Sequence, residues 1–492
     1  MATAGEQLLK LQPNYMNVFV HEIDVEDGPF ERPLTIAPSS SGNANWVTVL
    51  VGENGSRKSF LLRLIHASAR GASSFRTRNG NGLRLKIARA TEVPTAVIAI
   101  SGTAIDRFTH ASLPKESYTY LGLRSTTGAS GYHQSQHCFV SAILNNRQGL
   151  QRRRAALERV FAHLGLLAKF DVFFRLSKRA SSLRTFLREN SPILDEKLRD
   201  VIARGMRSTL NRGAGDELTA FAETSDGKEQ LLSALRDLAR ATFLDVNAPA
   251  PKPSIRFSGN RMLAAPKTLP IAIWQNLLTL GIIEVSKTEF YPSESNGREY
   301  REPQVDGNDL SSGQWSWLNG LGGLCVCLGN GTLVLVDEPE NSLHPSWQLE
   351  YVPTILSILE DFTGCHVIVA THSPLIQSGL PPEKGNVRTL RRDDSSPWSE
   401  SPVRSIETVP TFGWTASDVY EEAFNLKSTR APLFTEVADL ALRTIADGRK
   451  ISKKETDRLV DSLERTSESL QPLDPMRDVI DSVISELNPV KK

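Results

Sequence analysis

The sequence predicts an α/β fold built on a parallel sheet, and two observations support this prediction. The near-continuous apolar runs Trp46–Val51, Ala96–Ser101, 333–336 and His366–Ala370 have the composition of strands that are buried on both faces. Helix-like apolar periodicity follows several of them, for example after Pro345. Buried strands that alternate with helices are typical of a parallel sheet covered by helices.

Whole-chain properties narrow the class of protein before any motif is considered. The 492 residues suggest about three domain-sized units. Lys and Arg (57) nearly balance Asp and Glu (56), so the molecule as a whole is not driven electrostatically onto nucleic acid or an anionic membrane. The four cysteines form no C-x-x-C pair, which argues against a zinc site and a disulfide scaffold. We expect a soluble, cytoplasmic protein with no membrane partner, because neither a signal-peptide core nor a long apolar span occurs.

A glycine-rich loop follows the first buried strand. It comes close to the phosphate-binding pattern G-x-x-x-x-G-K-[ST] and consists of Gly52, Glu53, Asn54, Gly55, Ser56, Arg57, Lys58 and Ser59, with Phe60 in the following helix. In such a loop backbone N–H groups wrap the phosphates, the lysine balances their charge, and the hydroxyl binds Mg²⁺. These residues are therefore candidates to bind a nucleotide, with Ser59 as a metal ligand. Arg57 stands where the pattern has glycine, so the match is imperfect.

Two acids, Asp337 and Glu338, end the apolar run 333–336. A strand that is buried on both faces presents carboxylates only at its tip, which is where a parallel sheet places ligands. Asp337 is a candidate Mg²⁺ ligand, and Glu338 is a candidate base that polarises an attacking water.

Two further motifs contain groups that suit a terminal phosphate. The first of these motifs consists of Ser311, Ser312, Gly313 and Gln314, whose hydroxyls and glycine come directly before a helix-like segment. A helix start of this kind offers unpaired N–H groups and a positive dipole end. His372 follows the strand His366–Ala370, where its imidazole is placed to contact a terminal phosphate.

Each motif taken singly has a plain structural interpretation. The glycine loop fits an ordinary turn, the acids fit a solvated strand end, the serines fit a helix cap, and His372 fits a structural histidine. The four motifs occur in one order, each on the element that its role needs, which makes coincidence remote.

Together the motifs resemble the ATP-binding head of the ABC superfamily, with its Walker A, signature, Walker B and switch-histidine motifs. The resemblance covers about residues 15–145 and 255–380. It implies a P-loop NTPase head of ABC type that binds ATP and Mg²⁺ between two copies of the chain. The ATP held at Lys58 of one copy would then be capped by the other copy's signature residues, Ser311, Ser312, Gly313 and Gln314.

The resemblance also implies roles for single residues. Glu338 would be the general base, and His372 would sense or position the γ-phosphate. A Q-loop glutamine is expected between Walker A and the signature, and Gln134 and Gln136 are both candidates. Arg57 must point away from the phosphates, so the loop conformation or the hydrolysis rate is expected to differ from the family norm.

Four segments follow from this interpretation. Residues 1–145 would form the N-terminal part of the head and residues 251–400 its C-terminal part. Residues 146–250 are expected to form a basic helical insertion, and residues 401–492 a helical C-terminal region.

The insertion makes DNA a candidate partner. Lys and Arg exceed Asp and Glu by about ten between residues 147 and 212, enough to neutralise several phosphates. Arginines at helical spacing more often form a solvated face, however. The aromatic residues Phe170, Phe173 and Phe174 are expected to pack a core rather than stack on bases.

Spacing and local sequence favour one branch of the superfamily. About 250 residues separate Lys58 from Ser311, far more than in transporter heads. The residues after Glu338, from Pro339 to Pro345, resemble the OLD/RecF-like form. Beyond them we find no acidic pattern of a TOPRIM nuclease, and Asp393 with Asp394 is interpreted as a solvated turn. The chain therefore resembles the stand-alone ATPases of bacterial antiphage systems, of the Septu or retron-associated type.

The leading hypothesis is a regulatory ATPase that dimerises through its heads, as a homodimer or higher homo-oligomer, and controls a separately encoded nuclease or other effector. The alternatives are a DNA repair or maintenance ATPase of RecF/SMC type, an ATP-gated scaffold with little hydrolysis, and a transporter subunit.

Overall fold

The structure is a computed structural model of the chain. It describes residues 19–38, 44–76, 82–90, 93–103, 106, 108, 118–122, 132–150, 152–178, 180, 182–183, 186, 193–210, 221, 224–243, 253–259, 261–267, 269–293, 304–392, 402–424, 430–446 and 452–487. Asp393 and Asp394 lie outside the described residues.

The described strands are β1 (Val20–Glu26), β2 (Leu34–Thr35), β3 (Trp46–Val51), β4 (Ser74–Arg76), β5 (Gly82–Ala90), β6 (Ala96–Ser101), β7 (Tyr118–Gly122), β8 (Leu166–Leu176), β9 (Ser254–Ser258), β10 (Arg261–Ala265), β11 (Ile283–Pro292), β12 (Val305–Asp306), β13 (Thr332–Asp337), β14 (His366–Ala370), β15 (Gly385–Arg391) and β16 (Arg404–Thr408). The described helices span Lys58–Ala69, Tyr132–Asn145, Arg154–Ala162, Leu194–Leu210, Ser225–Phe243, Ile271–Thr279, Ser312–Trp317, Gly323–Cys327, Pro345–Leu359, Pro374–Ser378, Ala416–Phe424, Pro432–Ala446, Lys453–Ser469 and Met476–Leu487.

A seven-stranded sheet forms the centre of the head, in the order β16-β15-β3-β14-β13-β6-β7. All neighbours are parallel except β16, which runs antiparallel to β15. Every residue of β13 and β14 is buried, as the continuous apolar runs predicted. The predicted α/β fold with a parallel sheet is confirmed. Because β14 lies between β3 and β13, the loops that follow these three strands meet at one edge of the sheet.

A second sheet supports the helix that follows the glycine loop. It is antiparallel, in the order β2-β1-β5-β4. Its apolar residues share one core with the helix Lys58–Ala69 and the parallel sheet, and this core includes Ile23, Leu34, Leu61 and Leu335. The helix is thereby packed between two sheets, which fixes the direction of its N-terminus.

A third sheet differs from the predicted helical insertion. It is antiparallel, in the order β10-β9-β8-β11-β12, and β8 lies inside the segment 146–250 that was expected to be helical. Residues Leu166–Leu176 alternate between the two faces of a sheet, so the period of two prevails over the helical pattern around it. Phe170 and Phe174 are buried, which confirms that they pack a core.

The chain divides into two compact units, Met1–Trp414 and Thr415–Lys492. The second unit is helical in its described part and has its own small core of Ala441, Leu459, Leu463, Ile480 and Val483. Within the described residues of 401–492, the secondary-structure elements are helices apart from β16, which belongs to the first unit. Within the described part of the chain, none of the helices combines the length and apolar character that crossing a bilayer requires.

Candidate nucleotide site at the carboxyl edge of the parallel sheet

The glycine loop connects β3 to the helix Lys58–Ala69. Gly52 has φ 148°, and a Cβ there would lie 2.5 Å from the carbonyl oxygen of Leu390, so only glycine fits. Arg57 has φ 68°, a left-handed conformation that costs a non-glycine residue roughly 1–2 kcal/mol. The backbone therefore has the turn that the motif's glycine would allow, and the arginine is strained in it.

Lys58 is buried and its ammonium points into the loop. Nζ donates to the carbonyl oxygen of Gly52 (2.8 Å), and it lies 3.3 Å from the Glu53 carbonyl oxygen, from Ser56 Oγ and from His372 Nδ1. Burial lowers the pKa of Lys58 to about 8, although nearby carboxylates partly oppose this. The ammonium thus lies inside the loop that would wrap the phosphates.

The remaining loop residues fall into two groups. The side chains of Glu53 and Asn54 are exposed, as is Gly55. Phe60 faces the aromatic rings of Phe30 and Phe75, so it stabilises the start of the helix by packing.

Asp337 ends β13 and lies beside the loop. Ser59 Oγ donates to its Oδ1 at 2.8 Å, which brings the two predicted metal ligands into direct contact. Burial raises the pKa of Asp337, and together with the charges of Glu338 and Asp106 and against the Ser59 hydrogen bond it brings this pKa to about 7. This carboxylate is therefore held where its negative charge is unfavourable until a cation arrives.

Glu338 follows in a left-handed backbone conformation with φ 47°. Its Oε2 accepts from Asn341 Nδ2 at 3.0 Å, and its backbone N–H donates to the Ala370 carbonyl oxygen of β14. Strained residues that the surrounding structure holds in place are common at functional sites. Glu338 also lines the open space beside Asp337.

Glu340 is a residue of this edge to which the sequence assigned no role. It accepts from Thr371 Oγ1 (2.8 Å) and from the backbone N–H of His372 (2.5 Å). It therefore connects the acidic loop to the histidine loop. The fragment Pro339-Glu340 was visible in the sequence, but only the folded chain shows what its carboxylate binds.

His372 lies against Lys58 with its Nδ1 toward the ammonium. Burial and the charge of Lys58 lower its pKa, which favours the neutral ring with Nδ1 as the acceptor. Lys58, Ser59, Asp337, Glu338 and His372 thus lie at one edge of the sheet, where three neighbouring strands end.

The signature residues form a helix cap. Ser311 Oγ accepts from the backbone N–H of Gln314, and the Gln314 side chain accepts in return from the N–H of Ser311. Gly313 packs on the loop after Glu338, since a Cβ there would lie 2.4 Å from the Ser342 carbonyl oxygen. Ser311 and Ser312 are exposed. Among the described residues, no hydrogen bond or ion pair joins residues 311–314 to residues 52–60.

The Q-loop candidates lie on the helix Tyr132–Asn145. Gln136 is fully buried and its Nε2 donates to Asn308 Oδ1 at 3.0 Å, a few residues before the signature. The side chain of Gln134 lies outside the described residues. Asp106 lines the same cavity as Asp337 and contributes to its raised pKa, although the sequence did not indicate a role for it.

Several arginines of the basic segment are engaged within the chain. Arg153 donates to the Val326 and Leu328 carbonyl oxygens, and Arg159 to the Ser357 carbonyl oxygen. Arg154 and Arg175 form ion pairs with Glu158 and Glu284. These four arginine side chains are thus held by contacts within the chain, so fewer arginines are available to contact phosphates than their number suggested.

Comparisons with known proteins address the class of this head. Residues 279–378 match the model of the family described as "AAA domain, putative AbiEii toxin, Type IV TA system". Over 162 residues the chain is 25% identical to the Septu protein PtuA of Bacillus thuringiensis. That match covers 32% of this chain and 37% of the relative, so the chain spans about a third of the length of the curated protein it matches.

One similar solved structure is the Smc head domain with an extended coiled coil, bound to the C-terminal domain of ScpA, from Pyrococcus furiosus. It is 10% identical and covers 80% of this chain and 96% of its own length, with a TM-score of 0.31. A TM-score of this size supports no inference on fold or function.

The strand order, with the glycine loop and the acid pair on nearby strand ends, has the arrangement of a P-loop ATPase head of the ABC type. Residues 279–378 match an AAA-domain family model. The chain adds an antiparallel five-stranded sheet to that head and a second, helical unit at Thr415–Lys492.

Proposed function

We propose that the chain binds ATP with Mg²⁺ and hydrolyses it between two copies of itself. The proposal rests on one observation. One edge of the parallel sheet brings together Lys58, Ser59, Asp337, Glu338 and His372. The direct contact between Ser59 Oγ and Asp337 Oδ1 is its most specific part.

The residues present fit a divalent cation. Asp337 is a buried carboxylate that receives a hydrogen bond from Ser59 and whose pKa is raised to about 7 by burial. A cation bound there removes the unfavourable burial of its charge. Ser59 and Asp337 would hold Mg²⁺, which when bound neutralises phosphate charge in phosphoryl transfer.

The other residues then have separate roles in hydrolysis. The backbone amides of Gly52 to Ser59 and the ammonium of Lys58 bind the β- and γ-phosphates. Glu338 orients the attacking water and accepts its proton. Neutral His372 contacts the terminal phosphate, in place of its present contact with Lys58.

The signature suggests a second copy. Ser311 and Ser312 are exposed at the start of a helix, and among the described residues they form no hydrogen bond or ion pair with the glycine loop of their own chain. Exposed hydroxyls and N–H groups at a helix start suit a phosphate bound by another chain. We propose that Ser311, Ser312, Gly313 and Gln314 cap the nucleotide of the partner copy.

The Glu338→Gln variant tests this proposal. Phosphate release is expected to fall by about 10²–10⁴-fold because the base is lost, while ATP binding is retained and a closed dimer accumulates. Steady-state phosphate release and size-exclusion chromatography with ATP measure the two effects. Glu360→Gln is the matched control, since Glu360 is exposed at the end of the helix Pro345–Leu359.

Normal turnover in Glu338→Gln would contradict the proposed base. A wild-type chain that dimerises with ATP yet releases no phosphate would instead support an ATP-gated scaffold. Adding Ser312→Arg to Glu338→Gln is expected to prevent the closed dimer without changing ATP binding by the single copy, since Ser312 would act only on the partner's nucleotide.

The biological role that we propose is control of a separately encoded nuclease or effector in antiphage defence. The similarity to the Septu protein PtuA and to the AbiEii-type family model supports it. We further propose that residues 1–145 and 251–400 form one OLD-like cytoplasmic head, with residues 146–250 as an insertion. Deleting the genes that flank this one, singly, and measuring phage resistance tests the role: defence that survives every such deletion would contradict a separate effector.

A further inference from the structure

A polar cavity of about 300 Å³ lies beside the proposed Mg²⁺ site. It is lined by Ser59, Arg63, Thr103, Asp106, Phe108, Asp337 and Glu338. Two of these residues are the proposed metal ligands and a third is the proposed base. The cavity is therefore the space in which a metal ion and its waters would lie.

The protein supplies few ligands of its own to such an ion. Within the described part of the chain, no three His, Cys, Asp or Glu side chains converge closely enough to hold a metal. Mg²⁺ prefers six oxygen ligands and usually keeps several waters when one or two protein groups and substrate phosphates bind it. Its waters must donate hydrogen bonds to acceptors on the cavity wall.

Asp106 is the acidic lining residue that has no role in the proposed chemistry so far. It follows β6, the strand next to β13, and only 4% of its surface is exposed. It lines the same cavity as the proposed metal ligands Ser59 and Asp337. An acid this deeply buried needs partners that hold it in place.

Two donors fix the orientation of the Asp106 carboxylate. The backbone N–H of Phe108 donates to Oδ1 at 3.0 Å, and the Tyr120 hydroxyl of β7 donates to Oδ2. Each carboxylate oxygen can accept a further hydrogen bond. The group is therefore an oriented acceptor on the wall of the cavity.

We propose that Asp106 is a positioning residue that accepts hydrogen bonds from the waters of the Mg²⁺ ion held by Ser59 and Asp337. This inference rests on the proposed nucleotide site. Asp106 follows β6, whereas the Q-loop candidates Gln134 and Gln136 lie on the helix Tyr132–Asn145.

The Asp106→Asn variant of the full chain tests the proposal, with a fluorescent ATP analogue as the probe and Mg²⁺ or Mn²⁺ as the titrant. The Mg²⁺ concentration that half-maximally tightens analogue binding is expected to rise about 10–100-fold. Analogue binding in EDTA is expected to stay within about twofold of wild type. Asparagine keeps an oxygen that accepts from the Phe108 N–H, so the loop is retained.

Two further variants keep the test decisive. Tyr120→Phe leaves the carboxylate and removes one of its anchors, so it should shift the Mg²⁺ requirement in the same direction by a smaller factor. Asp171→Asn removes another buried acid, in the five-stranded sheet, and should leave the Mg²⁺ requirement unchanged.

A wild-type Mg²⁺ requirement in Asp106→Asn would overturn the proposal. So would an equal loss of analogue binding with and without metal, together with lower thermal stability, because that pattern shows a purely structural role. If the wild-type chain binds no analogue at any Mg²⁺ concentration, the proposed function itself fails and this inference fails with it.

Discussion

Asp171 and Asp337 are both buried acids on strands, but their surroundings differ. Asp171 lies on β8 of the antiparallel sheet, where Arg256 donates to both of its oxygens (2.7 and 2.8 Å) and the Tyr291 hydroxyl donates at 2.9 Å. Asp337 lies at the end of β13 in the parallel sheet, where it accepts a hydrogen bond from Ser59 Oγ. Burial raises the pKa of Asp337, and together with the charges of Glu338 and Asp106 it brings this pKa to about 7.

The difference separates a structural acid from the acid that we propose binds Mg²⁺. A carboxylate that stabilises a fold is neutralised by cations and donors of its own chain. A carboxylate that binds a cation from solution must keep its charge uncompensated until that cation arrives, which destabilises the free protein. The charge of Asp171 is satisfied inside its sheet, whereas that of Asp337 is not.

The largest expected effect concerns Asp337 in the nucleotide-free chain. Its pKa is about 7 in the folded state against an ordinary 3.8, so the folded state binds more protons between pH 4 and pH 7. Stability is therefore lost as the pH rises through that window, by up to roughly 4 kcal/mol at about 1.4 kcal/mol per pKa unit. Asp337→Asn should stabilise the free chain by a few kcal/mol at pH 8 and by nearly nothing at pH 4. Urea unfolding at several pH values measures this.

The buried histidines change stability in the opposite sense. Burial lowers the pKa of His66 to about 4 and that of His366 to about 3, so both favour folding at neutral pH and that contribution is lost as the pH falls below about 6.5. Both histidines are present in wild type and in Asp337→Asn. Their effect therefore cancels when the free energies of unfolding of the two chains are subtracted. A difference that does not change with pH would contradict the raised pKa.

Asp171→Asn should have a smaller effect of the opposite sign. The variant removes a charge-assisted pair and leaves Arg256 without its carboxylate, but half of the Arg256 side chain is exposed (51%) and solvent compensates in part. We expect a loss of about 1–2 kcal/mol in the free energy of unfolding, with unchanged Mg²⁺-dependent nucleotide binding. A stabilised Asp171→Asn chain would remove the distinction between the two acids.

The smallest expected effect is on the glycine loop. Arg57→Gly relieves the left-handed conformation at φ 68°, and this gain is partly offset by the greater freedom of glycine in the unfolded chain. The free chain should gain about 1 kcal/mol or less, measured as a higher urea midpoint with an unchanged slope. A destabilised variant would show that the Arg57 side chain makes contacts that outweigh its backbone strain.

Much of the head was predictable from the sequence. The strands Trp46–Val51, Ala96–Ser101 and His366–Ala370 have the bounds that their apolar runs indicated. The order of motifs along the chain also predicted which residues meet at the edge of the sheet, because parallel strands place their carboxyl ends together. These inferences succeed because burial on both faces and phosphate-binding loops leave local patterns.

Other features needed the tertiary structure. Leu166–Leu176 is a strand although the segment around it is helix-rich, because pairing with β9 and β11 satisfies its backbone and buries Phe170. Glu340 and Asp106 were missed because the site residues near them, His372 and Asp337, are far from them in the sequence.

The sequence by itself determined the class of fold, the loop that suits phosphates and the acids at the strand tip, since each depends on residues that are neighbours along the chain. Only the tertiary structure decided which buried charges are compensated and which are not. Compensation of a charge depends on distance in space, and a sequence of residues does not contain the distances between strands.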